Sequence, residues 1–274
     1  MIRYAFVVFC SLLVLSVKAD YTTSFATSDS TNDFRFAQIG TLGSSNQTSC
    51  YWNNEALRME GRYNCQAGRF LRVSDDGSGL NNGYYAGSIS TAIKFNYYNG
   101  NSTNVRVALC LSAHTNDGLN NYPVYYVMME TNTISLIRKW QYSSTTQQTT
   151  LYSCAISPVG GLDTYTLRLN AVETGTNAYG SIINLSMSFM QGSVELASGG
   201  VSDAPTAASG AGATYNAGYV GFLGGAGPAN NSTYRGIDVT EFSVSVIPEP
   251  ATFLMVLSGV LLIAQRRKKQ DAHL

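Results

Sequence analysis

An all-β body, built as two antiparallel sheets packed face to face, is what the 274-residue sequence predicts, and three observations carry that expectation. Apolar residues recur at every second position through many short stretches, turn-forming residues lie between those stretches, and no part of the body shows an amphipathic helical pattern of useful length. Val105, Val107, Leu109 and Leu111 alternate with Arg106, Ala108, Cys110 and Ser112; Tyr165, Leu167 and Leu169 alternate with Thr166, Arg168 and Asn170. The same period governs Ile183, Leu185, Met187 and Phe189, and again Phe242, Val244 and Val246. Further strands are expected over 69–74, 91–97, 124–130, 134–140 and 218–223. Turn chemistry separates them at Asp75-Asp76-Gly77, Asn81-Asn82-Gly83, Asn99-Gly100-Asn101, Asn116-Asp117-Gly118, Pro158-Val159-Gly160-Gly161 and Gly224-Gly225-Ala226-Gly227-Pro228. Ten or more strands with polar outer faces must bury their apolar faces against one another, which gives two packed sheets.

Taken in order, the chain begins with a segment that is not part of this body. Residues 1–19 hold one early basic residue, Arg3, an apolar stretch over 4–17, and Val17-Lys18-Ala19 ahead of Asp20. This is the pattern of a secretory signal helix cleaved between Ala19 and Asp20. The body then runs over 20–247, within the range of one all-β domain. Of the seventeen basic residues, six lie outside the body, leaving eleven against fifteen Asp and Glu inside it. A mildly acidic body without a basic patch excludes nucleic acid as an expected partner. Its Ser, Thr, Asn and Gly content, with eighteen tyrosines in the chain, suits an extracellular sheet protein that handles carbohydrate. A groove lined by two or more exposed rings would mark a defined glycan site, and Tyr84, Tyr85, Tyr97 and Tyr98 are the tyrosines to watch.

Export removes Cys10 and leaves Cys50, Cys65, Cys110 and Cys154, an even number for an oxidising compartment. Two disulfides are expected, with Cys50–Cys65 and Cys110–Cys154 preferred among the three connectivities. The spacing does not suit zinc. His114, the body's one histidine, reads as a loop residue.

The last 27 residues form a third segment, 248–274. Pro248-Glu249-Pro250 precedes an uncharged run over 251–264 and then Arg266, Arg267, Lys268 and Lys269. Fourteen helical residues reach about 21 Å at 1.5 Å each, short against a hydrocarbon core of about 30 Å, and snorkelling basic side chains offset the shortfall. The basic cluster places the tail inside and the body outside. The prolines keep the approach to this single transmembrane helix extended.

The Pro248-Glu249-Pro250 triad, short apolar span and terminal basic cluster together resemble the PEP-CTERM sorting signal of bacterial envelope proteins. That resemblance implies recognition by an exosortase, a membrane-embedded cysteine protease, with a transient inner-membrane anchor followed by transfer to the cell surface or extracellular matrix. Within the body, Leu57-Arg58-Met59-Glu60, the pair Tyr125-Tyr126-Val127 and 134–138, Tyr165 to Leu169 followed by 183–190, and the closing runs Gly218 to Phe222, Gly236 to Val239 and Phe242-Ser243-Val244 resemble the concanavalin A-like or laminin-G-like jelly roll. Glycosidases of that class share a strand with two carboxylates on one concave face. Here the strand carboxylates Glu60, Glu130, Glu195 and Glu241 stand singly and read as solvated strand-face residues. No catalytic residue is assigned, and no cofactor. Asp75, Asp76, Asp117 and Asp203 could serve calcium as hard oxygen donors, but without an Asp-x-Asp-x-Asp-Gly loop they read better as turn formers.

The expected function is therefore that of a non-catalytic exported surface or matrix protein associated with exopolysaccharide. The alternative is a lectin-like carbohydrate-binding module with a defined glycan site. A glycoside hydrolase or lyase ranks third.

Overall fold

The computed structural model describes residues 21–28, 34–39, 47–73, 88–113, 124–142, 145–204, 206, 218–228 and 232–246. Fifteen strands account for most of them. Sheet A runs in the order β13 (Val194–Asp203), β12 (Gly180–Gln191), β11 (Tyr165–Asn177), β6 (Ser88–Tyr98), β15 (Arg235–Val246), β4 (Leu57–Gly61) and β3 (Thr48–Trp52). β1 (Tyr21–Ser24) joins it alongside the second half of β15, beyond the point where β4 ends. Sheet B runs β10 (Thr145–Ala155), β9 (Thr133–Tyr142), β8 (Val124–Glu130), β7 (Val105–Ala113), β14 (Gly218–Ala226), β5 (Gln66–Val73) and β2 (Phe34–Ile39). Every pairing is antiparallel. The chain passes from sheet A to B and back over β4 to β7, then lays down two meanders, β7 to β10 in sheet B and β11 to β13 in sheet A.

The period-two runs face inward as expected. Val105, Val107, Leu109 and Leu111 are fully buried, and so are Leu167, Leu169, Ile183, Phe189 and Phe242. Two aromatic clusters fill the space between the sheets. Phe25, Phe34, Phe222 and Phe242 meet with ring centroids 5.0 to 6.1 Å apart, and Phe95, Tyr97, Tyr165 and Phe189 meet at 5.3 to 6.5 Å. Each such ring contributes about 1.5–3 kcal/mol by leaving water. Tyr97 belongs to this core and not to a ligand surface.

Two expectations are corrected. Residues 224–226 are not a turn but the end of β14. A Cβ at Gly224 would lie 2.5 Å from Ile237 Cγ1, and one at Gly225 2.5 Å from the Cys65 carbonyl oxygen, so a packed side chain at the first and neighbouring backbone at the second explain the two glycines. β10 and β13 have no legible apolar period, because as the outermost strands of their sheets they are only half covered. The cysteines form no disulfide: all four are free thiols. β8 and β9 lie between Cys110 on β7 and Cys154 on β10, so three strand spacings, about 14 Å, separate chains that a disulfide needs within about 7 Å. Cys50 faces Met59 across β3 and β4, whereas the Cys65 thiol donates to Gln47 Oε1 at 3.1 Å beyond the end of that pair. Burial pushes the Cys50 thiol up to about 11, against the opposing Arg69 charge, and raises those of Cys110 and Cys154 as well, so none is activated as a thiolate.

The expected signal helix over 1–19 with its Ala19–Asp20 cleavage point lies outside the described residues, as do His114, Tyr84, Tyr85 and everything from 248 to 274. Among the described residues no helix is long and apolar enough to cross a membrane.

Phe242 touches Phe34 and Phe222 in the first aromatic cluster, on the strand that pairs with β6, β4 and β1. Phe242→Asp therefore places a carboxylate at a fully buried site and should cost several kcal/mol. Urea unfolding followed by tyrosine fluorescence should show a midpoint collapse; a midpoint within experimental error of the parent would contradict this packing.

Candidate functional site

The two outer faces differ. On sheet B, the residues opposite the core side are themselves withdrawn from solvent at the centre: Ala108, Cys110, Tyr126, Ile137 and Leu223 are 0–3 % exposed. On sheet A the corresponding positions are polar and open. Strand register sets them out in rows. Ser245, Ser90, Asn170, Ser186 and Gly200 form one row, Ser243, Ala92, Arg168, Ser188 and Ser198 the next, and Glu241, Lys94, Thr166 and Met190 a third. These are the outward members of the alternating runs, most of them polar, brought side by side by pairing of β15, β6, β11, β12 and β13.

A hollow of about 400 Å³ opens over β6, β11 and β15, lined by Ser90, Ala92, Ile93, Lys94, Thr166, Arg168, Asn170, Glu241 and Ser243. Its depth comes from residue size, since small side chains at 90, 92 and 243 sit between longer ones. The floor is ordered by hydrogen bonds. Ser90 Oγ donates to Asn170 Oδ1 at 2.5 Å, and Asn170 Nδ2 donates to Ser186 Oγ at 3.2 Å, which fixes the orientation of the amide. Lys94 Nζ reaches Glu241 Oε2 at 2.6 Å. Arg168 is exposed and, among the described residues, makes no hydrogen bond or ion pair. No aromatic ring lines the hollow. The expected tyrosine platform is therefore absent from it, and Tyr98, on the same face, is capped by the Arg58 guanidinium 3.6 Å from its ring centroid.

Beside the hollow, on β4 and β15, lies a second polar group. Arg58 holds Asp238 in a bidentate pair, 2.8 Å at each contact, and this pairing raises the guanidinium's already high pKa. Glu60, one step further along the same face of β4, is 9 % exposed. Burial, with the Asp238 charge, pushes its carboxyl above the ordinary glutamate value, while Arg58 opposes the change. Asp238 was not legible as a candidate because it is three residues from Glu241 in sequence and meets Arg58 only across strands.

Of the other singled-out carboxylates, Glu195 is exposed, as expected of a solvated strand face, whereas Glu130 is partly withdrawn into an ion pair. Glu130 binds Arg106 at 2.5 Å, and Glu195 accepts from Ser198 Oγ at 2.7 Å. Asp203 does not lie in a turn. It ends β13, accepts from the Tyr125 hydroxyl and from Arg138 Nη1 at 2.9 Å, and ties the two sheets together. Asp75, Asp76 and Asp117 lie outside the described residues, among which no group of three or more potential ligands gathers at a metal-binding distance.

No protein-family model matches this chain, and no curated protein is similar to it in sequence. Among solved structures it is similar to lectin II from Ulex europaeus, at 10 % identity over 83 % of this chain and 98 % of that one with a TM-score of 0.46. The legume lectin-like domain from Entamoeba histolytica gives 10 %, 82 % and 97 % with 0.48, and the Lotus tetragonolobus seed lectin 11 %, 84 % and 100 % with 0.48. At these values the similarity is one of general shape and says nothing about ligand.

Because the folded state raises the Glu60 pKa, it favours the protonated form, and stability contributed there is present at low pH and lost as pH rises through the folded value. Glu60→Gln should consequently be more stable than the parent at pH 7, with the difference shrinking as pH falls toward the ordinary glutamate value of 4.5. Urea midpoints at the two pH values check this. A gap that does not change with pH would show that Glu60 titrates normally.

Proposed function

We propose that the chain is an exported, non-catalytic surface protein that holds saccharide in the hollow of sheet A. The hydroxyl and amide floor of that hollow is the observation that carries the reading. Ser, Thr and Asn side chains offer both donors and acceptors, the complement a polyol requires. A volume of about 400 Å³ falls in the range of small-ligand sites, and Ala92 and Ile93 are the apolar members of a lining that is otherwise hydroxyl, amide and charge. Without ring platforms the hollow suits modest affinity per sugar, repeated along a polymer and between many copies. This joins the matrix-associated and lectin-like readings, because a polar sheet face need not select one sugar tightly in order to keep a protein in a polysaccharide layer.

Two features support the absence of catalysis. Within the hollow Glu241 is the single carboxylate, and it is tied to Lys94. Beside it Asp238 is held at both oxygens by Arg58, so neither is free as a nucleophile.

Delivery to the surface rests on the C-terminal segment. β15 runs to Val246, so the Pro248-Glu249-Pro250 triad follows the closing strand after one residue and processing would occur directly under the domain. In this reading an exosortase removes the segment from 251 onward, and the membrane is a partner only before processing.

Glycan-binding assays on the full chain in a polyoxyethylene detergent test the first part. Ser243→Trp, which fills the hollow, should weaken polysaccharide binding about tenfold, the effect of losing roughly 1.4 kcal/mol; binding equal to the parent would remove the hollow from consideration. For the second part, Glu249→Ala should leave folding unchanged while full-length chains accumulate in the membrane. Peptides spanning Arg266 to Leu274 recovered from parent surface material would overturn it.

A further inference from the structure

We infer that the saccharide held by sheet A is anionic, a polymer bearing carboxylate or sulfate groups, and that Arg168 is its anchor. The inference rests on the saccharide reading above and adds the chemical class. Three basic side chains project from the outer face of this sheet: Arg58, Lys94 and Arg168. Arg58 is neutralised by Asp238 and Lys94 by Glu241. Arg168, on β11, has no carboxylate partner among the described residues. Within the lining of the hollow this leaves a net charge of one positive unit, from Lys94 and Arg168 against Glu241.

The position of Arg168 suits a ligand. Its neighbours across β6 and β12 are Ala92 and Ser188, too short to reach over the guanidinium, and the Ser243 hydroxyl lies beyond Ala92 in the same row. The planar fork of five N–H donors is therefore open to solvent in a wall of hydroxyls. A carboxylate or sulfate accepts two parallel N–H bonds from such a fork, while sugar hydroxyls exchange hydrogen bonds with Ser90, Thr166, Asn170 and Ser243. The mildly acidic body makes this local positive charge an exception on its own surface, so a long-range attraction to polyanion is not what positions the ligand. Contact at Arg168 is.

The test uses full-length protein in a polyoxyethylene detergent, with immobilised polygalacturonate, a sulfated dextran and unmodified dextran as probes. The parent should be retained by the first two and weakened by raising salt from about 50 to about 300 mM, across which exposed charge contacts are screened. Arg168→Gln should lose about tenfold in affinity for the anionic polymers, in line with loss of a charge-assisted pair, with its thermal midpoint unchanged because the side chain is exposed. Arg168→Lys should recover part of the loss, since a point charge replaces the fork. Retention on unmodified dextran equal to that on polygalacturonate, or full anionic affinity in Arg168→Gln, would overturn the anionic assignment and leave saccharide binding standing. Retention on none of the three would overturn both.

Discussion

Mutual burial of the inward faces of the two sheets is the constraint on which everything else in this molecule depends. Neither sheet could persist alone, because each presents a continuous apolar face; the aromatic cluster around Phe242 joins rings of both sheets, while the cluster around Tyr165 lies on sheet A and meets sheet B where the Tyr97 hydroxyl reaches Met129 Sδ at 3.5 Å. β15 has a special place in this arrangement. It is flanked by β6 on one side and by β4 and then β1 on the other, while its inward residues Ile237, Val239, Phe242 and Val244 meet sheet B.

How closely the sheets approach varies along the molecule. At the corner where β4 leads into β5 they come close: a Cβ at Gly224 on β14 would fall 3.2 Å from Met59 Cβ on β4 and 2.5 Å from Ile237 Cγ1 on β15. Ala226 N donates to the Cys65 carbonyl at 3.1 Å and Gln66 Nε2 donates to the Ala226 carbonyl at 2.6 Å, which ties β14 to the start of β5 within sheet B. Glycine is required at 61, 225 and 236 because a Cβ at each would fall within 2.5 Å of a backbone carbonyl oxygen, that of Cys65 or Met59. Elsewhere the gap is wide enough for Arg138 to cross it and meet Asp203, with the Tyr125 hydroxyl on the same oxygen. A buried ion pair of this kind contributes little net stability, since desolvation offsets the attraction, but leaving either partner alone would be costly. It holds the end of β13 in register against sheet B, which an apolar contact of similar size would do less specifically.

The hollow is a by-product of the same constraint. With large residues turned inward along β6, β11 and β15, the outward positions are free to be small and polar, and their rows of Ser, Thr, Asn and Ala leave room that longer side chains on sheet B would fill. Since Asn170 is fixed by Ser90 and Ser186, the floor is arranged before any ligand arrives, which lowers the ordering cost of binding.

Much of this fold was legible in the residues themselves. Period-two alternation at Val105–Leu111, Tyr165–Leu169, Ile183–Phe189 and Phe242–Val244 is a local property, and it named the core because any strand with such a pattern must bury one face. Edge strands such as β10, with Thr145-Thr146-Gln147-Gln148, escaped notice because half-covered strands need no apolar period, and the glycines of β14 looked like a turn because their reason is a neighbour 2.5 Å away and far off in sequence. Cysteine parity suggested disulfides, yet three strand spacings stand between Cys110 and Cys154. The candidate site was the least legible part. Each of Ser90, Arg168 and Ser243 reads in sequence as an ordinary solvated alternate, and only the pairing of β6 with β11 and β15 brings them around one hollow. Local patterning depends on a residue's own chemistry and its near neighbours, so sequence alone determined which faces are buried; which polar residues share a surface depends on register between strands up to about 150 residues apart, and tertiary structure decided that.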